Sequence, residues 1–587
     1  MTSAATSGRS FAADPIVDAG GPLPEPWPNQ LVHCVVDENV GLPDAATLSF
    51  RDPNHELLTE TRITIGTLLK VSVSTLDKQA QELLFTGEVT ALELDSDSTG
   101  SFTIVRAQSL AHRLFRGRKV AAFQNTALPA IVDKVLVGTG ISRGRIEAPK
   151  IIYKHLAQAN VSDWEFLQSL AQEHGATVRV DDKGRLDFVK PALASKAPPP
   201  STTSAQSAFV LEYGENLMAL RAVLTAADQV DAVEVRGWNV DTKQPVIAKH
   251  PLRPSTTVRP GFKNTSNFGK TTLLVADTPY GNNAEANAAA RSLAASMSAG
   301  LGEVEAVVEG NPLLRAGVPV TLANVGAAFS GRYTATAVHH VLDPNTGYRT
   351  TVLVSASPDR SLAGLTTGAN APARGPRIPG VVTGIVTDIK ETGRAQRGWV
   401  KLKFPWLDDK NYQTDWVRTV QLGGQGGGVF GPDVDDEVLV GFEHGCLDKP
   451  YVLGGLYNGK DVPSPHTLPL VDRGGKVNRR SLVSRKGHRL ELIDGMIGPP
   501  GVRIASGNDR LEIRVDERHN KIDVTVFGPG GKGALSSMSL TPQGITIDAG
   551  KGNLTLSGGT VSIDATGKVG INSAGLATLQ GRMVRIN

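Results

Sequence analysis

Only two cysteines, Cys34 and Cys446, stand in 587 residues, which excludes a disulfide framework and a CxxC metal knuckle. Aromatic residues are scarce at 5%, leaving little bulk for several large cores. Charge of one sign is missing too: 61 Lys and Arg face 58 Asp and Glu, a net +3, which argues against a dedicated nucleic-acid binder. No run of ~18 apolar residues occurs, so a membrane helix is not expected. The first thirty residues contain no continuous apolar stretch, so we expect no secretory leader and a reduced, cytosolic site of synthesis. What is abundant is Gly (63) and Pro (35), roughly one residue in six against about one in eight in ordinary chains, a bias toward turns and short strands. The length predicts about four domains at ~150 residues each.

Residues 1–30, rich in Pro and Gly, read as a flexible lead. Period-two alternation then marks antiparallel strands at Leu31 to Val36, Ala46 to Phe50, Leu69 to Val73, Leu83 to Leu94 and Ser101 to Ala107. Two amphipathic helices follow. In NTALPAIVDKVLVGTG, Leu128, Ile131, Val132 and Val135 form one stripe. In VSDWEFLQSLAQEHG, Ser162 can cap and Gly175 can stop the helix, and we place Trp164, Phe166 and Leu167 in the core. VRVDDKGRLDFVKP reads as a hairpin about Asp181 to Gly184, and the Ala-rich stretch Asn283 to Met297 as a further helix. From Ser361 to Gly380 charge drops out, a linker that separates a mixed α and β part, residues 31–360, from an almost helix-free remainder. Between 381 and 460 the runs GVVTGIVTDI, GWVKLKFPW, TDWVRTVQL, DEVLVGFE and PYVLGGLYN fit a five-stranded OB-type barrel. Trp399, Trp406 and Trp416 supply its expected core.

Residues 461–587 form a neck and a fibre. No aromatic residue follows Phe527, and apolar pairs recur at Ile545/Ile547, Leu554/Leu556, Val561/Ile563, Val569/Ile571 and Val584/Ile586, with Leu576 a weaker member. A repeat of about eight residues is too short for a helical hairpin and suits one strand per repeat. Each strand offers only two apolar side chains, so one chain cannot bury a core from them. Three chains wrapped about a common axis can.

With these residues the chain resembles the VgrG-like spike proteins of contractile injection systems, the Rhs element Vgr family, related to the hub and spike of contractile phage tails. The resemblance rests on LLFTGEVTALEL from Leu83, LAHRLFRGRKVAAFQNTALPAIVDKVL from Leu110, QANVSDWEFLQSLAQEHGATVRVDDKGRLDF from Gln158 and AGVPVTLANVGAAFSGRYTATAVHHVLDPNTGYRT from Ala316. In the barrel it rests on RGWVKLKFPW from Arg397 and GPDVDDEVLVGFEHGCLDKPYVLGGLYN from Gly431. It implies a mainly β homotrimer with an α+β hub of phage-hub-like domains, an OB-fold barrel and a C-terminal triple-stranded β-helix. The implied partners are a hexameric inner tube, baseplate and hub adaptor proteins, a PAAR-type tip at the needle end, effector cargo and, transiently, a target membrane. The VSDWEFL form of the hub helix leans toward an extracellular injection particle or phage-tail-like device, with a type VI secretion spike as the alternative. In either case the chain would be made in the bacterial cytoplasm and carried out in the particle. Two departures from some relatives bear on chemistry: GKDVPSPHTLPLVDRGGKVNRR is too short for an inserted lysozyme, and the last residues stay in strand pattern rather than opening a toxin domain.

No catalytic, cofactor or metal residue is assigned. Adjacent His339 and His340 point to opposite faces of a strand and cannot chelate together. His444 and Cys446 make two ligands where zinc needs three or four. Asp433, Asp435, Asp436 and Glu437 lack EF-hand spacing, Asp408 and Asp409 are loop neighbours rather than a carboxylate pair across a cleft, and Gly423 to Gly428 is followed by no Lys-Ser or Lys-Thr of a phosphate loop. An OB barrel can stack bases, but the acidic turn and neutral balance supply no electrostatic track. No histidine follows His519, so a metal-closed apex is not expected and a separate tip protein is. The competing readings are a β-helix tailspike that cleaves surface polysaccharide, which the aromatic-free tail disfavours, and a monomeric binding module.

Overall fold

The computed structural model describes residues 11, 14–74, 80–147, 151–226, 229–261, 269–355, 377–391, 396–408, 410, 412–425, 427–495 and 498–586. The greater part of the linker expected at 361–380, and Asp409, lie outside the described residues. The chain divides into two compact units, residues 1–456 and 457–587.

The first unit is built on a ten-stranded sheet. Its order is Ile16–Asp18, Leu68–Ser74, Gln81–Asp97, Gly100–Gln108, Ala45–Arg51, Leu31–Asn39, Ala337–Asp343, Gly347–Val354, Gly302–Glu309 and Leu217–Leu224. The two halves, from opposite ends of the first 360 residues, meet where Cys34 pairs with Leu342 and Val36 with His340. Alternation drives this: Cys34, Val36 and Glu38 point inward, and the residues between them are less buried. The flexible lead expected at 1–30 is corrected in its described part. Residues 16–18 join the sheet edge, and Trp27 is buried with its indole N–H donating to Glu60 at 2.8 Å. An indole that finds both an apolar slot and an acceptor holds its segment in place despite the surrounding prolines.

Between the halves sits an α/β insertion. A two-stranded ribbon, Lys119–Ala127 with Ile152–Val161, packs with helices Leu128–Leu136 and Asp163–Glu173 and a three-stranded sheet, Ser142–Ile146, Thr177–Val180 and Arg185–Val189. Helix Asp163–Glu173 starts at a reciprocal cap: the Glu165 N–H donates to Ser162 Oγ at 3.2 Å and the Ser162 N–H to Glu165 Oε2 at 2.8 Å. A third helix of this part, Asn283–Ala299, capped by Asn282, lays Ala286, Ala289, Ala290 and Leu293 on a three-stranded sheet, Gln244–Pro251, Ala232–Asn239 and Thr272–Tyr280. Among the described residues no helix is long and apolar enough to cross a membrane.

All five runs expected for the barrel form strands, shorter than their patterns: Val381–Asp388, Lys401–Lys403, Arg418–Thr419, Glu437–Phe442 and Pro450–Gly455. Reciprocal hydrogen bonds between Val400 and Val417, at 3.0 and 2.7 Å, bring the ends of the sheet together.

The second unit is a seven-stranded antiparallel meander in sequence order: Arg479–Val483, Arg489–Ile493, Gly501–Ala505, Leu511–Asp516, Lys521–Phe527, Ala534–Thr541 and Gly544–Asp548. Of the apolar pairs expected in strands, only Ile545/Ile547 lies in one. Leu554/Leu556, Val561/Ile563, Val569/Ile571 and Val584/Ile586 lie in no strand of the single chain; their strands are expected only among three chains. Among the described residues, those from 549 to 586 form no ladder within the chain. A strand needs a hydrogen-bonded neighbour, and a lone repeat of eight residues has none in its own chain.

Candidate assembly surface

The meander has two chemically distinct faces. Cross-strand register builds two continuous apolar rows on one of them: Leu482, Leu490, Ile504, Ile513, Val524, Met538, Ile547, and beside it Leu492, Val502, Val515, Ile522, Leu540, Ile545. Leu482, Leu492, Ile504, Ile513 and Val524 are 40–49% exposed. The other face is a charge ladder in which Glu491 opposes Arg503, Arg503 opposes Arg514 and Arg514 opposes Asp523. Arg503 donates to Glu512 at 2.6 Å and to Glu491 at 3.2 Å. Burial works against the Arg503 charge, but the two carboxylates outweigh it and raise its affinity for the proton. Residues 464–468 strap this charged face: His466 reaches Glu491 at 3.3 Å, Arg479 donates to the Ser464 carbonyl at 3.4 Å, and Leu468 is buried. The chain thus covers its polar face and leaves its apolar face to solvent, the reverse of a self-sufficient unit.

The needle core of Ile545, Ile547, Leu554, Leu556, Val561, Ile563, Val569, Ile571, Val584 and Ile586 is expected only where three chains meet, and the single chain leaves these side chains uncovered. All ten are 51–85% exposed, with Leu556 at 65% and Ile571 at 74%. The reason is geometric: two apolar side chains per repeat meet no facing apolar surface within their own chain, so nothing removes them from water. Sequence reading missed the sheet that precedes them, although the alternation in RRSLV, RLELI, LEIRV and KIDVTVF carries its signal.

In the hub, Trp164, Phe166 and Leu167 are buried. The Trp164 ring stacks on Phe115 with centroids 5.1 Å apart, and its indole N–H donates to the Gly41 carbonyl at 3.1 Å, tying the helix to the large sheet. The barrel differs from expectation. Its buried apolar residues include Val386, Val400, Leu402, Phe404, Tyr412, Val417, Val438 and Val440. Trp399 and Trp416 are half-buried beneath Arg397 and Lys401, at 3.4 and 5.0 Å from the ring centroids, and Trp406 is 47% exposed. Alternation puts Trp399 on the outer face with Lys401, whereas Trp406 follows the strand in a turn.

His339 and His340 do point to opposite faces. His339 meets Asp37 at the surface. His340 is fully buried between the Thr350 and Tyr348 hydroxyls and the Leu314 carbonyl, and burial pushes its imidazole down to about 3. Asp433 and Asp436 form the turn before Glu437–Phe442, with the Asp433 N–H donating to the Asp436 carboxylate at 2.8 Å. Among the described residues no cluster of three or more His, Cys, Asp or Glu side chains gathers within reach of one ion.

A buried charge joint was not anticipated. Glu38 pairs with Arg315 and accepts from the Ala316 N–H at 3.0 Å, while Arg179 lies 4.0 Å from Glu38 and donates to the Ala316 carbonyl at 3.2 Å. Asp182 approaches Arg315 at 3.5 Å. Burial, with the Glu38 charge beside it, pushes the Asp44 carboxyl up to about 7, and burial likewise raises Glu38. The signal was Glu38 itself, a charge at an inward position of an alternating strand.

Two family models match. One, described as the type VI secretion system/phage-baseplate injector OB domain, covers residues 382–457, the barrel. The other, the Alg8 N-terminal domain, covers residues 59–343. Over 106 residues the chain is 32% identical to the type VI secretion system spike protein VgrG2a of Pseudomonas aeruginosa. The chain is related to the VgrG spikes. That stretch is 17% of this chain and only 12% of the curated relative's length. A chain of the Francisella PdpA–VgrG complex in its half-lidded form shares the fold at 10% identity and a TM-score of 0.50, over 93% of this chain and 88% of that one. The E. coli c3393 protein, a component of the type VI secretion system, aligns with a TM-score of 0.47 at 16% identity, covering 75% of this chain and 99% of that one.

Proposed function

We propose that the chain is the trimeric central spike of a contractile injection device, in the form of an extracellular injection particle or phage-tail-like device. In this reading residues 31–360 are the hub that receives a hexameric inner tube and baseplate proteins, 381–460 the OB barrel, and 461–587 the neck and a triple-stranded β-helix needle that meets a PAAR-type tip. Its role is mechanical: sheath contraction supplies the energy, and the spike carries the force and any cargo into the target envelope. The observation that carries the reading is the uncovered apolar face of the meander, continued by the exposed apolar pairs to Ile586. Partner copies of the same chain satisfy both, because three identical tails bring identical rows to one axis and give every edge a neighbour. Relatedness to VgrG spikes and the matched OB domain support the same reading. Light scattering on the purified chain tests it: a trimer weighs about 186 kDa, three times the 62.0 kDa chain, and a 62.0 kDa species overturns it. Turnover of a surface polysaccharide by the same sample would overturn the mechanical role.

A further inference from the structure

The ribbon Lys119–Ala127/Ile152–Val161 has two working faces. One carries Phe123, Tyr153 and Leu156 into the core of the α/β insertion, while Val120, Ala122, Ala157 and Ala159 pack on the apolar residues of the barrel. The register sets Val120 against Ala159, Ala122 against Ala157 and Gln124 against His155, so the ribbon's barrel-facing row ends in one polar pair. Both members converge on a single barrel atom: the Gln124 side-chain amide donates to the Gln413 carbonyl at 3.3 Å, and His155 Nε2 lies 3.3 Å from the same oxygen. On its other side His155 Nδ1 lies 3.4 Å from Asp448 Oδ1, and the ring meets Tyr412 edge-on. The His155 and Asp448 side chains are only 8% and 12% exposed.

A carbonyl and a carboxylate can only accept, and a neutral imidazole has one N–H to give. With its one N–H turned to the Gln413 carbonyl, the neutral ring offers Asp448 no counter-charge, so only the imidazolium makes the hydrogen bond and the ion pair together. We propose that His155 is a proton-dependent latch that clamps the hub ribbon to the barrel while protonated and releases it when neutral. The groups facing it are Gln124 on the ribbon, Tyr412, Gln413 and Asp415 on the barrel segment that precedes Arg418–Thr419, and Asp448 ahead of Pro450–Gly455. Burial works against the charged ring, but Asp448, the Gln413 carbonyl and Asp415 outweigh it, and its proton affinity is raised above the usual 6.5. A raised value in the fold fixes the sign: the latch is fully engaged below pH 6.5 and is lost as pH climbs through the higher native value. Loss of the proton leaves the Asp448 carboxylate buried without its counter-charge. The remaining ion pairs of barrel to hub are Arg377 with Asp277 and Asp241 with Lys154 and Arg397, and the His155 and Asp448 variants separate the latch from the other groups that titrate in the chain.

The inference does not depend on the spike reading, and the test reads it separately. Amide exchange is followed on the full-length chain at pH 6 and pH 9, corrected for intrinsic rates, in peptides from the ribbon and from Lys401–Lys403, with the mass of the species measured at both pH values. Seam protection in the wild type should be higher at pH 6 than at pH 9. In His155→Gln it should be low at both, and Asp448→Asn should move the fall to below pH 6.5. Equal protection of the wild-type seam at pH 6 and 9, or an unchanged fall in either variant, overturns the latch whatever the oligomeric mass.

Discussion

Asp44 sits where burial and the charges of Glu38 and Asp182 act on it together, against two arginines. With every carboxylate ionised, the cluster holds three negative charges against two positive ones, and a proton on Asp44 restores balance. Its carboxyl is raised from an ordinary 3.8 to about 7, so the folded state retains a proton that the unfolded chain gives up. Stability from this group is therefore full below about pH 4 and falls as pH rises to about 7, by on the order of 3 kcal/mol. His340, held down to about 3, acts with the opposite sign over part of the same range, so the readout is a difference. Calorimetry at pH 5 and pH 7.5 should show the wild type losing stability relative to Asp44→Asn as pH rises; parallel curves would show that Asp44 carries no such proton.

At the scale of the element, the barrel separates what periodicity reveals from what bulk conceals. In GWVKLKFPW the alternation sets Val400, Leu402 and Phe404 inside and Trp399, Lys401 and Lys403 outside, and the two lysines already mark the outer face. Weighing residue size instead puts the tryptophans in the core. Phe404 is fully buried and its ring lies 5.8 Å from Tyr412 and 5.7 Å from Phe442. Phe404→Ala should cost about 3–5 kcal/mol, whereas Trp406→Ala, removing a half-exposed ring that rests on the Phe404 ring and donates to the Thr383 carbonyl, should cost less, about 1–2 kcal/mol. Urea unfolding of the two variants compares them directly, and equal losses would return Trp406 to the core. The helix at Asp163–Glu173 was legible because cap, stripe and stop agree within fifteen residues. Of the charge joint only Glu38 left a signal: residues 38 and 44, 179 and 182, and 315 stand in three distant stretches of sequence, and only the fold brings them together.

For the whole molecule the deciding quantity is what becomes of the apolar rows between Leu482 and Ile586. In one chain Ile513 is 42% exposed and Ile563 is 66% exposed, so an aspartate at either position stays hydrated and costs the folded single chain little. About a shared axis each substitution buries three carboxylates without partners, a penalty of several kcal/mol per group. Ile513→Asp and Ile563→Asp should therefore both shift the light-scattering mass from about 186 kDa to 62.0 kDa, the weight of one chain, while the circular dichroism of the hub is kept. Ser537→Lys lies on the charged face directly opposite Asp548 and should leave the large species intact. A full-mass assembly from both aspartate variants would place the apolar rows on the outside of the needle. Loss of mass in the lysine variant as well would assign the interface to the charged face, which in the single chain is already satisfied by its own arginines and by the strap at 464–468.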